Sequence, residues 1–534
     1  MNLAPGVPET VDPLVLGDVL ARHDRDRPDA PALQFEGRCF SYGKLMRRTA
    51  RAAARLWHEW GVRPGDRVAY LGLNHPDQIT LLFALARIGA VLVPLNFRLA
   101  PAEWQAVLAD CTPFCVVHDT AWADAGGALA RAEGIPAHAI DRLIATHAPG
   151  DGPARATPDS PALLVYTSGT TGLPKGAVHT HANLLANMVA ACAAQGLTSA
   201  DVVLTVLPMF HVGGLCIQTL PALFAGAAVI LHTRFEAGAT LAAIAQDRPT
   251  LTLQVPATMK ALIEHPAWAA TDLSCLRAVW AGSSLIPAAL VTALHERGLP
   301  VCNVYGATET GPFSIALDAQ HAMTHAGSCG WPARGVQVRL ADLQDGVGEL
   351  LLRAPSVVRS YWPDQPAVDA DGWFHSGDRA RQATDGSFTV VGRAKDMVIS
   401  GGENIYPAEI EHLLASHPLV ADCAVLGLPD VQWGEVLVAV LVFKTQSGVV
   451  PASVGNDPLL NWEQTLSDFL RGHIARYKLP RRWVRLDALP RTALGKVQKA
   501  ALARQVMDVA GPSRSDPGDL PMLRPGGFKN NSEP

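Results

Sequence analysis

The stretch Tyr166-Thr-Ser-Gly-Thr-Thr-Gly-Leu-Pro-Lys-Gly176 gathers groups that could hold a phosphate. Gly169 and Gly172 let backbone N–H groups close on an anion. Thr167, Ser168, Thr170 and Thr171 add hydroxyl donors, and Lys175 adds a mobile point charge. The apolar strand Ala162–Tyr166 leads into this loop, and phosphates bound by layered α/β sheets lie at the carboxyl ends of strands. Most Gly/Ser/Thr runs are plain surface loops. The strand end and the density of donors favour a phosphate cradle here. It is not a Walker A loop, which requires GxxxxGK[ST]. Pro174 precedes Lys175 and Gly176 follows it, so a helix beginning at the lysine is disfavoured.

Four later segments carry further candidate groups: Asn303-Val-Tyr-Gly-Ala-Thr-Glu-Thr310, Gly372-Trp-Phe-His-Ser-Gly-Asp378, Gly392-Arg-Ala-Lys-Asp-Met-Val-Ile-Ser-Gly-Gly-Glu-Asn-Ile-Tyr-Pro407 and Pro490-Arg-Thr-Ala-Leu-Gly-Lys496. With the first, and in this order, they resemble the signatures of the adenylate-forming (AMP-binding) superfamily. The similarity covers roughly residues 15–505 and is closest in pattern to fatty-acyl-CoA and 4-coumarate-CoA ligases. The resemblance implies a two-step ligase. A carboxylic acid and ATP would give an acyl-adenylate and pyrophosphate, and CoA would then displace AMP.

Carried over residue by residue, the resemblance gives each motif a role. The loop Thr167, Ser168, Gly169, Thr170, Thr171 and Gly172, with Lys175, would hold the phosphates. Tyr305 would face adenine beside Ser283 and Ser284, with Gly306 and Thr308 lining the nucleotide. Asp378 would accept hydrogen bonds from the ribose hydroxyls and Arg393 would also reach the ribose. Glu309 with Thr167 would hold Mg2+, a hard cation suited to oxygen donors. Lys496 would be the catalytic residue, assisted by Glu309 and Lys175. Only nine of the 44 basic residues are lysines, yet Lys175, Lys395 and Lys496 all fall inside these motifs, where a compact ammonium is wanted. Lys499 serves as a solvated comparison. For the CoA step, Lys395 matches the hinge, Gly401 and Gly402 the pantetheine tunnel, and Trp433 lies near CoA.

The expected acyl pocket comprises His211, Val212, Gly213, Gly214, Val255, Gly282, Gly306 and Phe313. Amino-acid-activating relatives carry an aspartate near His211, and none stands here. No Lys or Arg lies between Val202 and Thr233, so a dicarboxylate would bury a second charge unpaired. An uncharged hydrophobic acid, fatty or aryl, fits best. His211 either gates the acyl or CoA channel or is a hydrogen-bonded core histidine. His179 and His181 read as structural, since no third ligand is recognisable.

Placing these groups requires layered α/β architecture. Short strands at Arg67–Leu71, Val91–Leu95, Phe114–His118, Val202–Val206, Ala228–Leu231 and Leu251–Val255 alternate with helices, which predicts a mainly parallel core. Asp-Gly turns at 345, 371 and 385 mark a β-rich subdomain after about residue 336. The expected fold is α/β: an N-terminal adenylation domain (1–394) of layered sheets plus that subdomain, a smaller mobile α+β domain (395–510), and a disordered tail (511–534).

Composition bounds the rest. With 534 residues, 44 basic against 49 acidic, the formal charge of −5 offers no basic excess for a nucleic acid. Nine scattered cysteines read as free thiols in a reducing, cytoplasmic setting. The uncharged stretch Val202–Thr233 is broken by Pro208, Pro221 and glycines, so it reads as buried strands and a helix, not as a membrane span. The partners expected are the acid, ATP and CoA, with a homodimer left open. A separate carrier protein could replace CoA as acceptor. A P-loop-like phosphotransferase or an inactive nucleotide-binding scaffold are the rival readings of another class.

Overall fold

The computed structural model describes residues 15–144, 152–168, 174–282, 286–400, 403–430, 433–444, 461–471, 473–474, 476–492 and 495–509. Among these, four sheets carry the fold. The nine-stranded sheet runs, in spatial order, Trp331–Pro332, Ile315–Ala316, Val301–Tyr305, Ala278–Gly282, Leu251–Gln254, Val202–Thr205, Ala228–Leu231, Pro31–Phe35 and Arg38–Ser41. The six strands from Val301–Tyr305 to Pro31–Phe35 pair in parallel. The eight-stranded sheet centres on Pro161–Ser168, Val91–Leu95, Arg67–Leu71 and Cys115–His118, again parallel. Parallel strands need crossover helices, and these supply the layers on both faces.

The helix Pro76–Ile88 is buried on nearly every side, as an all-round apolar helix held between two sheets must be. One large core joins it to His181–Gln195 and to both sheets. The alternate face of the eight-stranded sheet, including Ala69, Leu71, Val93 and Val116, forms a second core with Trp104, Leu108 and Leu129. The β-rich region is a four-stranded antiparallel sheet over Gln337–Gln344, Val347–Arg353, Phe374–Gln382 and Phe388–Arg393. A five-stranded sheet follows, with Arg482–Arg485 parallel beside Gly434–Phe443 and the helix Pro407–Ser416 on its face.

The uncharged stretch 202–233 folds inside the large core as expected, and no helix among the described residues is long and apolar enough to cross a membrane. Its helix is irregular. Val212–Gly214 opens it, Leu215–Thr219 is π-helical and Leu220–Ala225 closes it. Pro221 has no N–H to give the Ile217 carbonyl, and Gln195 Nε2 donates there instead at 2.8 Å. Asn187 Nδ2 serves the Cys216 carbonyl at 2.8 Å, and the Thr219 hydroxyl serves Gly214 at 2.6 Å.

Two strands run further than their composition suggests. Ala278–Gly282 continues because Ala281 and Gly282 pair with Asn303 and Val304. Pro161–Ser168 continues because Thr167 and Ser168 pair with Lys175 and Pro174 of the antiparallel strand Pro174–Thr180. The lysine therefore begins a strand, and the strand–loop–helix of a P-loop is absent at this segment.

His179 and His181 are fully buried between this hairpin and its helix, and His181 Nδ1 accepts the Leu16 N–H at 3.0 Å. Burial pushes both down to about 4 from an ordinary 6.5, the His179 shift being offset in part by the Thr308 backbone. A depressed folded value means the unfolded chain binds more protons, so each contribution is whole above pH 6.5 and fades towards pH 4. The slope is up to about 1.4 kcal/mol per pH unit for each histidine. The thermal unfolding temperature should therefore fall steeply between pH 6.5 and pH 4, and His181→Asn should flatten that fall; an identical pH slope in the variant would contradict the assignment.

Candidate active site

Asp378 stands in Phe374–Gln382 directly opposite Arg393, its register partner in Phe388–Arg393. The residue is only 8% exposed. Arg393 Nε donates to Oδ1 at 2.8 Å and the Tyr305 hydroxyl donates to Oδ2 at 2.7 Å. Burial, with Asp378 beside it, raises the Tyr305 pKa well above its usual value, so the phenol stays a donor. The Ser376 hydroxyl is at work in this loop. It donates to the Leu350 carbonyl at 2.6 Å and accepts the Asp378 N–H at 3.0 Å. Glu349 Oε1 accepts the Gly377 N–H at 3.1 Å. The loop that presents Asp378 is thus held from three sides.

Thr308–Thr310 forms a 3-10 turn after Tyr305, stabilised where the Ala307 N–H meets Thr310 Oγ1 at 2.9 Å. Glu309 projects from this turn, and its Oε1 accepts the Tyr361 hydroxyl at 2.8 Å. Tyr361 is fixed by pairing with Ala177 on the edge of the Pro174–Thr180 strand, two residues past Lys175. Lys175 Nζ lies 5.4 Å from the Tyr361 ring centre. One tyrosine therefore bridges the phosphate-loop lysine and the glutamate. Sequence reading missed Tyr361, because its partners are more than fifty residues away and Ser-Tyr-Trp-Pro has no chemical signature of its own.

Glu309 and Thr167 offer hard oxygen donors, which fit Mg2+. Among the described residues, no cluster of three or more His, Cys, Asp or Glu could hold a metal alone. A cation here would need phosphate oxygens and water to complete its shell. The Thr167 hydroxyl lies at the hairpin end, 3.5 Å from the Lys175 carbonyl. The Ser168 backbone ends the strand, whereas its side chain and Gly169, Thr170, Thr171, Gly172, Ser283, Ser284, Gly401 and Gly402 lie outside the described residues.

Lys496, exposed at the surface, lies within electrostatic reach of Asp378, Glu309 and Arg393. Its pKa is lowered by partial removal from water, then by Arg393 and Lys395, while Asp378 and Glu309 oppose the shift. Those neighbours put the ammonium near Asp378 and Glu309. Among the described residues, the backbone on either side of it is hydrogen-bonded within the C-terminal unit. Arg491 pairs with Val497, the Thr492 N–H meets the Lys496 carbonyl at 2.7 Å, and the Gly495 N–H meets Thr492 at 2.8 Å. Lys499 is not the solvated lysine expected. Its Nζ donates to the Val425 carbonyl at 3.0 Å and pairs with Glu411 at 3.0 Å, so it holds the C-terminal unit together.

On the acyl side, His211 Nδ1 accepts the Gly213 N–H at 3.0 Å and so caps the helix. Burial and then Lys496 push it down to about 4, which keeps it neutral with Nε2 protonated. Val212 and Phe313 are buried, and Val255 is half-buried at the start of Pro256–Ile263. Gly214 has a backbone reason to be glycine: an added Cβ would lie 2.3 Å from the Pro208 carbonyl oxygen. At Gly213 such a Cβ would meet only the His211 ring, so that position is the one that leaves room. Gly306 faces the Pro312 carbonyl, which a Cβ would meet at 2.0 Å, while Gly282 ends its strand against Val304. Lys395 is exposed in the short turn Ala394–Asp396 between the sheets. Trp433 sits beneath Arg481, whose guanidinium carbon is 3.9 Å from the ring centre.

Comparison with known proteins identifies the family. Residues 20–362 fit the AMP-binding enzyme family and residues 409–496 fit the AMP-binding enzyme C-terminal domain. The chain is 42% identical over 505 residues to an indoleacetate–CoA ligase of Aromatoleum aromaticum, covering 91% of this chain and 96% of that one. It is 43% identical over 504 residues to a feruloyl-CoA synthase of an Amycolatopsis species, covering 92% and 99%. The solved o-succinylbenzoate CoA synthetase of Bacillus subtilis, in complex with its acyl-adenylate intermediate, superposes with a TM-score of 0.80 at 29% identity over 91% and 97% of the chains. With a family model matching more than half of the chain and relatives above 40% identical along nearly its whole length, the chain belongs to the AMP-binding enzyme family.

Proposed function

We propose that the acid joined to CoA is an aryl acid with no charge beyond its carboxylate. The chain is an AMP-forming acid–thiol ligase of the acyl-CoA synthetase branch, using ATP and CoA. The observation that carries the mechanistic reading is Lys496 lying among Asp378, Glu309 and Arg393, although it comes from the far end of the chain. The uncharged stretch 202–233, with the aryl acids in the names of the relatives, supports the choice of acid.

In this reading Asp378 and Arg393 receive the ribose, and Tyr305 packs beside the adenine while pinning Asp378. Attack of the acid carboxylate on the α-phosphate builds negative charge on the phosphoryl oxygens and expels pyrophosphate. Lys496 and Lys175 oppose that charge from two sides of the cleft. Mg2+, when bound through Glu309 and Thr167, supplies charge neutralisation on the phosphates. His211 is neutral, so it presents a donor without adding a cation to an apolar pocket.

The second step needs Lys496 to leave. Because its turn is hydrogen-bonded within its own unit, the whole unit must move, and the exposed turn at Lys395 is where the chain can pivot. The division into 1–394 and 395–510 follows from that pivot. Gly401 and Gly402 would then meet the pantetheine arm. Trp433, with Arg481 over its ring, would receive the charged end of CoA.

Chromatography of the nucleotide product with Mg-ATP, a panel of aryl and fatty acids, and CoA present or absent tests the reading. AMP that rises on adding CoA, with an aryl-CoA detected by mass, is expected. AMP indifferent to CoA would favour a carrier protein as acceptor, and ADP would overturn the mechanism. Tyr361→Phe removes one hydrogen bond to Glu309 and should lower kcat/KM for ATP by roughly 3- to 30-fold, with a higher Mg2+ requirement. An unchanged Mg2+ titration in a folded variant would exclude the bridging role of Tyr361.

A further inference from the structure

Glu309 takes its place from a strap of chain, residues 355–361, that runs past the turn Thr308–Thr310 and bonds it at three points. The Val358 N–H donates to the Glu309 carbonyl at 2.8 Å, and the Ser356 hydroxyl donates to the Thr310 carbonyl at 2.9 Å. The Tyr361 hydroxyl reaches Glu309 Oε1 at 2.8 Å. The turn also packs hard against this strap. Gly311, at φ +80°, follows it so closely that an added Cβ would lie 3.0 Å from Ser356 and 3.2 Å from Asn187.

The strap is held in turn by the helix His181–Gln195. Asn183 Nδ2 donates to the Pro355 carbonyl at 2.7 Å and to the Val357 carbonyl at 3.2 Å. The residues that Asn183 holds thus alternate with Ser356 and Val358, which hold the turn. Asn183 is 8% exposed, and its Oδ1 also accepts from the Thr180 N–H at 3.1 Å and the Thr180 hydroxyl at 2.9 Å, which closes the start of the helix. That cap alone would be served by Asp or Glu, whose charge also suits a helix N-terminus. A carboxylate has no proton to give the strap. The amide can cap the helix and hold two buried carbonyls at once, so the residue type answers to the strap.

We propose that Asn183 is a positioning residue for the metal and phosphate side of the reaction, fixing the Glu309 carboxylate through the strap. This rests on the role given above to Glu309 and deepens it. The effect passes through residues 355–361, so it falls on the cation. Asp378, held separately by Arg393 and Ser376, keeps its place for the ribose.

The test is a thermal-shift titration of the ATP-loaded enzyme with MgCl2, no acid present, beside AMP affinity by calorimetry without metal. The natural chain, Asn183→Asp and Ser356→Ala are compared. Asp keeps the capping oxygen and loses the donors to the strap, whereas Ser356→Ala removes one bond to the turn and leaves the helix untouched. The Mg2+ concentration at half-effect should rise about tenfold or more in Asn183→Asp and about threefold in Ser356→Ala, with AMP affinity kept within about threefold. An unchanged Mg2+ titration in folded Asn183→Asp, or AMP affinity lost as far as the Mg2+ response, would overturn the positioning role. Should Asn183→Asp fail to fold, Ser356→Ala decides on the same two readings. A natural enzyme whose ATP complex ignores Mg2+ would bring down the metal role of Glu309 itself, and the proposal with it.

Discussion

A carboxylate that is only 8% exposed must be given hydrogen bonds, and the site is organised around how Asp378 receives them. Tyr305 reaches it from the end of a strand in the nine-stranded sheet, and Arg393 from its neighbour in the four-stranded one. One side chain thus fastens the β-rich region to the parallel sheet. Arg393 is also the last strand residue before the turn at Lys395, so the chain leaves for its C-terminal unit from a fixed point beside the nucleotide residues. Lys496, returning from that unit, arrives where Asp378 and Glu309 favour its charge and Arg393 and Lys395 resist it.

That balance suits two steps in one enzyme. Adenylation needs cationic charge near the α-phosphate, and thioester formation needs the same space for a thiol. The hydrogen bonds that hold the Lys496 backbone to Thr492 favour, in the proposed mechanism, a change by motion of the whole unit. Lys499 reinforces this rigidity by tying its helix to Val425 and Glu411.

Much of this was legible in the sequence, for definite reasons. Period-two and apolar runs located the parallel strands, because a strand buried on both faces has few alternatives. Asp378, Glu309 and Lys496 were reached through the ordered motifs that resemble the adenylate-forming superfamily, since Ser-Gly-Asp alone is an ordinary turn. The features that were hidden depend on contacts distant in sequence. Tyr361 finds Glu309 only after the chain folds back along the hairpin edge, and the π-helical turn depends on Asn187 and Gln195 from another helix. Lys499 could not be told from a solvated lysine until Glu411 was placed beside it. The strand ends at Gly282 and Ser168 were likewise set by pairing partners, not by propensity.

The central claim is that Lys496 serves the first step and must vacate the cleft for the second. The most direct measurement compares Lys496→Ala with the natural enzyme in two half-reactions: adenylate formation from acid and Mg-ATP, and thioester formation from preformed acyl-adenylate and CoA. Adenylation should fall about 10²- to 10³-fold or more, while thioester formation is largely retained. Equal losses in both half-reactions would contradict the separation of roles.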